Sequence, residues 1–411
     1  MERVIVVGVE TQDNYQVFTE SMKELVNLTE TAQGEVVGEL TQKLPSVSNK
    51  TIVGKGKLEE LNQLVLAREA DIVIFNHELT ARQASQIEAA VQVKVIDRVQ
   101  LILDIFALRA RSKEGQLQVE LAQLNYLLPR LTGQGIAMSR LGGGIGTRGP
   151  GETKLETDRR HIRSKMTQIK HELKEIAAHR GRIRQKRQES EVFQIGLIGY
   201  TNAGKSTIMN LITEANTYSM NQLFATLDPL TKKWTLPSGM QMTLTDTVGF
   251  IQDLPTQLIE AFQSTLEESR GMDLLLHVVD ASSTDRLQQE QTVLHLLKQL
   301  DMEEIPVLTV YNKADLCDQD SFVPTLFPSC LISALNPADA DELKTAIIKE
   351  MKLVLVPYQA ELSEDKAYLL NEMTLKTIVD HWEYQEETGT YLVNGYAKSG
   401  SKWLNEQFYQ Q

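Results

Sequence analysis

Two cysteines in 411 residues, Cys317 and Cys330, cannot build a disulfide framework, and no Cys/His cluster has the spacing of a zinc site. Neither an oxidising compartment nor structural zinc is therefore expected. The longest strongly apolar runs, such as residues 4–9 and 274–279, fall far short of the ~20 residues that span a bilayer. The start also lacks a basic-then-apolar leader. The expected location is the cytoplasm without a membrane span, peripheral attachment to a membrane being left open. Lys and Arg are in the minority, 42 against 55 Asp and Glu, for a net charge of −13. Taken alone, that balance argues against nucleic acid as a partner. What is present is ordinary globular composition, 42% apolar and 24% charged. The length is about three ~150-residue domains, so several units are expected.

The average charge hides an asymmetry. Residues 140–187 carry 14 Lys/Arg against 5 Asp/Glu, so an acidic body bears one basic arm. Before the arm, short apolar runs alternate with stretches whose apolar residues recur at three and four, which predicts a parallel α/β unit over residues 1–99. Within it, Gly54-Lys55-Gly56-Lys57 reads as a strand-to-helix turn, with phosphate binding as the alternative.

From Leu101 the pattern predicts a long helix. Leu117, Leu121, Leu124, Leu128 and Leu131 form one stripe, and Ile162, Met166, Ile169, Leu173 and Ile176 form another. Two narrow stripes with alternating four and three spacing bury each other most economically as an antiparallel hairpin, placed over residues 100–190. The connection, residues 133–151, holds 8 of the 24 glycines, among them Gly143 and Gly144, together with Arg140 and Arg148. It leads into Arg159, Arg160 and Arg163. Glycine lets a backbone approach a phosphate or base closely and arginine supplies charge-assisted contacts, so these residues are expected to touch RNA.

Residues 191–356 carry the chemistry. An apolar strand ends in Gly199-Tyr200-Thr201-Asn202-Ala203-Gly204-Lys205-Ser206, followed by a helix from Thr207. This is P-loop spacing: backbone N–H groups cradle phosphates, Lys205 reaches the β/γ oxygens and the Ser206 hydroxyl binds Mg2+. A second strand delivers Asp246-Thr247-Val248-Gly249. Asp246 is expected to hold magnesium through water and the Gly249 N–H to reach the γ-phosphate. Between them, Phe224-Ala225-Thr226-Leu227-Asp228 reads as a switch in which Thr226 ligates magnesium directly. Asn312-Lys313-Ala314-Asp315 after a further strand selects GTP, since a carboxylate at Asp315 accepts from guanine N1–H and the 2-amino group. Ser333-Ala334-Leu335 completes the base pocket. Asn202 is a candidate ligand for K+, with a bond to the loop backbone as the alternative.

These motifs, with Gly54-Lys55-Gly56-Lys57, residues 97–111 and 118–124, Leu128-Pro129-Arg130-Leu131 and residues 142–160, resemble the HflX family of ribosome-associated GTPases. The resemblance covers nearly the whole length. It implies binding to the large ribosomal subunit, with the glycine-rich tip reaching towards the peptidyl-transferase region, and splitting of stalled or idle ribosomes. The protein would act as a monomer that binds GTP or GDP. A glutamine often follows the Asp-x-x-Gly motif to orient the attacking water; Phe250 stands there instead, so hydrolysis is expected to be slow until a partner stimulates it.

Residues 357–411 hold 9 of the 24 aromatics and are read as a small α+β domain. The architecture expected overall is α/β and multidomain: parallel α/β domain, helical hairpin with a Gly-rich loop, P-loop GTPase domain and small C-terminal domain. The competing reading is a GTPase component of an RNA-modification or RNA-chaperone system. The modifying enzymes that share Asn-Ala-Gly-Lys-Ser carry a catalytic cysteine near the C-terminus, and no cysteine follows Cys330.

Overall fold

A computed structural model describes residues 1–139, 150–189, 192–213, 229–247, 249–250 and 268–405. They divide into two compact units, the first containing Met1–Ala177 and the second most of the remainder.

The first unit begins with four parallel strands, β1 (Arg3–Glu10), β2 (Glu35–Lys43), β3 (Ile72–Phe75) and β4 (Lys94–Asp97), in the order β2-β1-β3-β4. Helices α1 (Phe18–Thr31), α2 (Lys55–Arg68) and α3 (Ala81–Val91) connect them, and α4 (Arg98–Arg109) follows. Crossover helices cover both faces of a parallel sheet, which is why β1 reads as a continuous apolar run: Val4 to Val7 are all buried. Gly54-Lys55-Gly56-Lys57 opens α2, as a strand-to-helix turn would, and the Gly54 N–H donates to Gln42 Oε1 at 2.9 Å.

The long helix expected from Leu101 is two helices. Asp97 caps α4 by accepting from Gln100 N at 2.9 Å, and Ala110 then turns extended. The Ser112 hydroxyl accepts from Gly115 N at 2.9 Å and starts α5 (Lys113–Ser139). Helix propensity runs straight through this stretch, so the break is set by a serine cap that periodicity does not register. Helix α6 (Pro150–Glu189) packs against α5 through seven residues of the two expected stripes: Leu117, Leu121 and Ile169 are buried, flanked by Leu124, Met166, Leu173 and Ile176, while Leu128, Leu131 and Ile162 are not in that cluster. Lys113–Glu172 at 3.6 Å and Lys165–Glu120 at 3.3 Å tie the pair from outside.

The foot of α5 is fastened to the sheet by one buried carboxylate. Asp97 accepts from Tyr126 Oη (2.7 Å), Arg130 Nη2 (2.7 Å) and Leu79 N (2.9 Å). The Arg130 guanidinium lies over the Tyr126 ring, 3.3 Å from its centroid, and also donates to the Leu79 carbonyl. Burial, and then the Asp97 charge, push the Tyr126 phenol far above its ordinary range.

The second unit holds a six-stranded sheet in the order β10-β9-β8-β5-β7-β6. The strands are β5 (Phe193–Gly199), β6 (Leu230–Thr235), β7 (Gln241–Asp246), β8 (Leu274–Asp280), β9 (Val307–Asn312) and β10 (Ser329–Leu331). All pair in parallel except the edge strand β6. The described helices are α7 (Lys205–Thr213), α8 (Arg286–Gln299) and α9 (Asp339–Val354). The chain continues into β11 (Val356–Ser363), α10 (Tyr368–Lys376), β12 (Ile378–Gln385) and β13 (Thr390–Ala397). These strands make an antiparallel sheet in the order β11-β13-β12, in which β11 is an addition to the two strands legible from sequence. Ile378 enters the larger sheet's core, and Lys398–Asp273 (2.7 Å) and Lys352–Asp380 (2.6 Å) join the two sheets by charge.

Candidate nucleotide site

The site forms where sheet order reverses. The chain leaves β5, the strand between β7 and β8, so loops after β5 and its neighbours open on opposite sides of a crevice. Gly199 begins the loop with φ +145°, where a Cβ would lie 2.2 Å from the Val278 carbonyl oxygen; any side chain would push two strands apart. Gly204 ends it with φ +101°, and a Cβ there would meet Asn312 Nδ2 at 2.1 Å. Helix α7 starts at Lys205 and directs its free N–H groups into the loop.

Lys205 is buried, and its Nζ donates to the carbonyls of Gly199 (3.1 Å) and Tyr200 (2.9 Å). Among the described residues no carboxylate pairs with it. Burial pulls its pKa down to about 8, partly opposed by Asp246. The next residue, Ser206, donates its hydroxyl to Asp246 Oδ2 at 2.6 Å. Asp246 is delivered by the end of β7, whose register against β5 sets Leu197 beside it. Thr247 Oγ1 locks the turn by donating to the Leu197 carbonyl at 2.6 Å. Gly249 presses so close that a Cβ would stand 2.9 Å from Lys205 Nζ and 2.8 Å from Thr201 Cγ2. Ser206 and Asp246 bring together two hard oxygen donors at a helix N-terminus, a donor set that suits magnesium.

Phe250 follows the Asp-x-x-Gly motif in place of a glutamine, and it is buried. Its backbone joins the loop: Phe250 N donates to the Gly199 carbonyl (3.1 Å) and its carbonyl accepts from Thr201 N (2.7 Å). Asn202, in the left-handed region at φ +62°, is exposed. Among the described residues its side chain has no hydrogen bond. Ala203 is buried and Thr207 half-buried in the first turn of α7.

The Asn312-Lys313-Ala314-Asp315 turn is joined to the loop after β5 by Asn312, which donates through Nδ2 to the Ala203 carbonyl and accepts at Oδ1 from Ala334 N, both at 2.8 Å. Lys313 turns left-handed at φ +66° and pairs with Asp280 at 2.6 Å. Buried Ala314 donates its N–H to the Ile332 carbonyl at 3.0 Å. The exposed Asp315 carboxylate accepts from the Ser333 hydroxyl at 2.5 Å, and Asp339 accepts from Ser333 N at 2.7 Å. Leu335 projects into solvent. Asp280 and Asp339 were missed in the sequence; Asp280 ends an apolar run as Asp246 does, and that repetition was the available signal.

Phe224, Ala225, Thr226, Leu227, Asp228 and Val248 lie outside the described residues, as do Arg140, Gly143, Gly144 and Arg148. On α6, Arg160 and Arg163 are exposed and Arg159 half-buried. Among the described residues no helix is long and apolar enough to cross a membrane.

Three family models match in sequence: a GTP-binding GTPase N-terminal region over residues 19–107, a GTP-binding GTPase middle region over 109–187 and a 50S ribosome-binding GTPase over 194–313. The chain is 50% identical over 398 residues to GTPase HflX of Alkalihalophilus pseudofirmus, covering 97% of this chain and 94% of that one. It is 44% identical over 299 residues to GTPase HflX of Escherichia coli, covering 73% and 70%. A crystal structure of a GTP-binding protein from the archaeon Sulfolobus solfataricus in complex with GDP aligns at TM-score 0.46 and 23% identity, covering 85% of this chain and 98% of that one. The 50% identity to a relative over nearly the full length puts the chain in the HflX family of GTPases, as a GTP-binding and GTP-hydrolysing enzyme.

Proposed function

We propose that this cytoplasmic GTPase binds the large ribosomal subunit as a monomer, engages ribosomal RNA with its hairpin, and splits stalled or idle ribosomes into subunits. Hydrolysis then releases it. The observation that carries the reading is the division of labour along the hairpin: apolar residues of α5 and α6 are spent on each other, while Arg160 and Arg163, which follow the glycine-rich connection in the sequence, face solvent. The match to a 50S ribosome-binding GTPase model supports the same partner.

In the nucleotide site, Lys205 exchanges its two carbonyl partners for β/γ oxygens, Gly249 offers its N–H to the γ-phosphate, and Asp315 accepts from the guanine edge. Magnesium would be held by Ser206 and Thr226 directly and by Asp246 through water, and supplies charge neutralisation on the phosphate oxygens. Phe250 has no donor or acceptor with which to orient water, so turnover is slow without subunits and rises when they are added. The exposed Asn202 amide would be the residue to hold K+, which would supply further positive charge; equal rates in potassium and sodium would remove that role.

Sedimentation of intact ribosomes with the protein is the test. Subunits separate with GTP or a non-hydrolysable analogue and not with GDP. Ribosomes that stay whole under all three sink the proposal.

A further inference from the structure

The antiparallel sheet of the second unit has a strip of face that the described residues leave uncovered. Over β11 and β13, Ala360, Leu362, Val393 and Ala397 are buried beneath Leu369, Met373 and Trp403. The edge strand β12 continues the same face outward, since Trp382 pairs with Val393 and Tyr384 with Tyr391. Yet Trp382 is 51% and Tyr384 40% exposed. Their rings lie 6.0 and 4.9 Å from that of Tyr391, so three aromatic rings form one strip. Among the described residues no strand pairs with the outer edge of β12.

The charge around the strip selects its occupant. Residues 378–390 contain Asp380, Glu383, Glu386 and Glu387 and no Lys or Arg. Asp380 is taken by Lys352. Glu383 has His381 at 3.9 Å, and Glu386 and Glu387 are exposed on the turn. A surface that stacks nucleobases needs cations for the phosphates, and this one presents carboxylates. Aromatic faces rimmed by acids attract guanidinium and ammonium groups, and an unpaired strand edge accepts an extended chain through its backbone.

We propose that β12 is a docking edge for an extended Arg/Lys-rich polypeptide segment, whose cations stack on Trp382, Tyr384 and Tyr391 and pair with Glu386 and Glu387 at the turn. This goes beyond the hairpin's contact with RNA and does not depend on it.

The full-length protein reports on this directly, because Trp234 and Trp403 are buried and acrylamide quenching reads chiefly Trp382. A short synthetic peptide alternating arginine and valine should protect Trp382 from the quencher. The Trp382→Ser/Tyr384→Ser protein, which keeps every charge, should bind that peptide, fluorescein-labelled, about tenfold more weakly at unchanged GTPase rate. Should that variant fail to fold, Glu386→Gln/Glu387→Gln decides, since it keeps the rings and should weaken binding in low salt. Equal peptide affinity in the variant that folds, protection by oligouridylate in place of the peptide, or protection by self-association alone would each overturn the proposal.

Discussion

Two cations, the half-buried Arg130 of the first unit and the buried Lys205 of the second, are treated in opposite ways. Arg130 in the first unit is saturated: a carboxylate, a carbonyl and an aromatic face surround its guanidinium. Among the described residues, the Lys205 ammonium in the second unit donates only to carbonyl oxygens. Breaking a satisfied buried pair leaves a stranded charge, so the Arg130 arrangement holds structure in place. A buried cation given dipoles but no counter-charge is held ready for an anion from outside. The contrast separates a joint from a binding site more clearly than burial does, since both residues are largely withdrawn from solvent.

The largest effect that would test the contrast is at Lys205. Lys205→Ala should lower GTP hydrolysis by about 10²–10³-fold, the magnitude of losing one preorganised charge-stabilising donor, while the urea midpoint stays the same or rises, because an uncompensated buried charge has gone. A variant that unfolds more readily would show the lysine to be structural. Next is Arg130→Ala, which strands the Asp97 carboxylate and should cost about 3–5 kcal/mol in chemical denaturation of the first unit. Its basal GTPase rate should be that of the parent. If stability is unchanged and hydrolysis falls, the two cations have been assigned the wrong way round.

The smallest effect concerns pH. His277 on β8 is buried, and burial, with Lys205 adding to it, pulls its pKa from 6.5 down to about 4. Between those values the unfolded chain binds a proton that the folded one does not, so stability rises with pH from about 4 to 6.5 and is lost on acidification through that window. His277→Asn should flatten that part of the stability profile. Denaturation at several pH values checks it; an unchanged slope would mean the acid response comes from other groups.

How much was legible before the structure follows from the range of each interaction. The hairpin stripes were readable because spacing of four and three is a property of one helix at a time, and Leu117 and Ile169 meet as expected. The phosphate loop was readable because its geometry is demanded by residues adjacent in the chain: only glycine fits at Gly199 and Gly204. The break at Ala110 was not readable from periodicity, since the residues on both sides favour helix and a single serine cap decides. Nor was β11, which gains its identity from pairing with β13.

The sequence by itself determined the nucleotide chemistry, the paired helices and the concentration of positive charge in one arm, because each depends on residues close together along the chain. The tertiary structure alone decided that Asn312 fastens the base-selecting turn to Ala203, 109 residues away, and that Phe250 closes on the phosphate loop with its backbone. It also decided that Asp97 anchors Tyr126 and Arg130, and that an aromatic edge strand is left uncovered. A buried polar group must find its partner wherever the fold brings one, and local pattern carries no record of which distant residue that is.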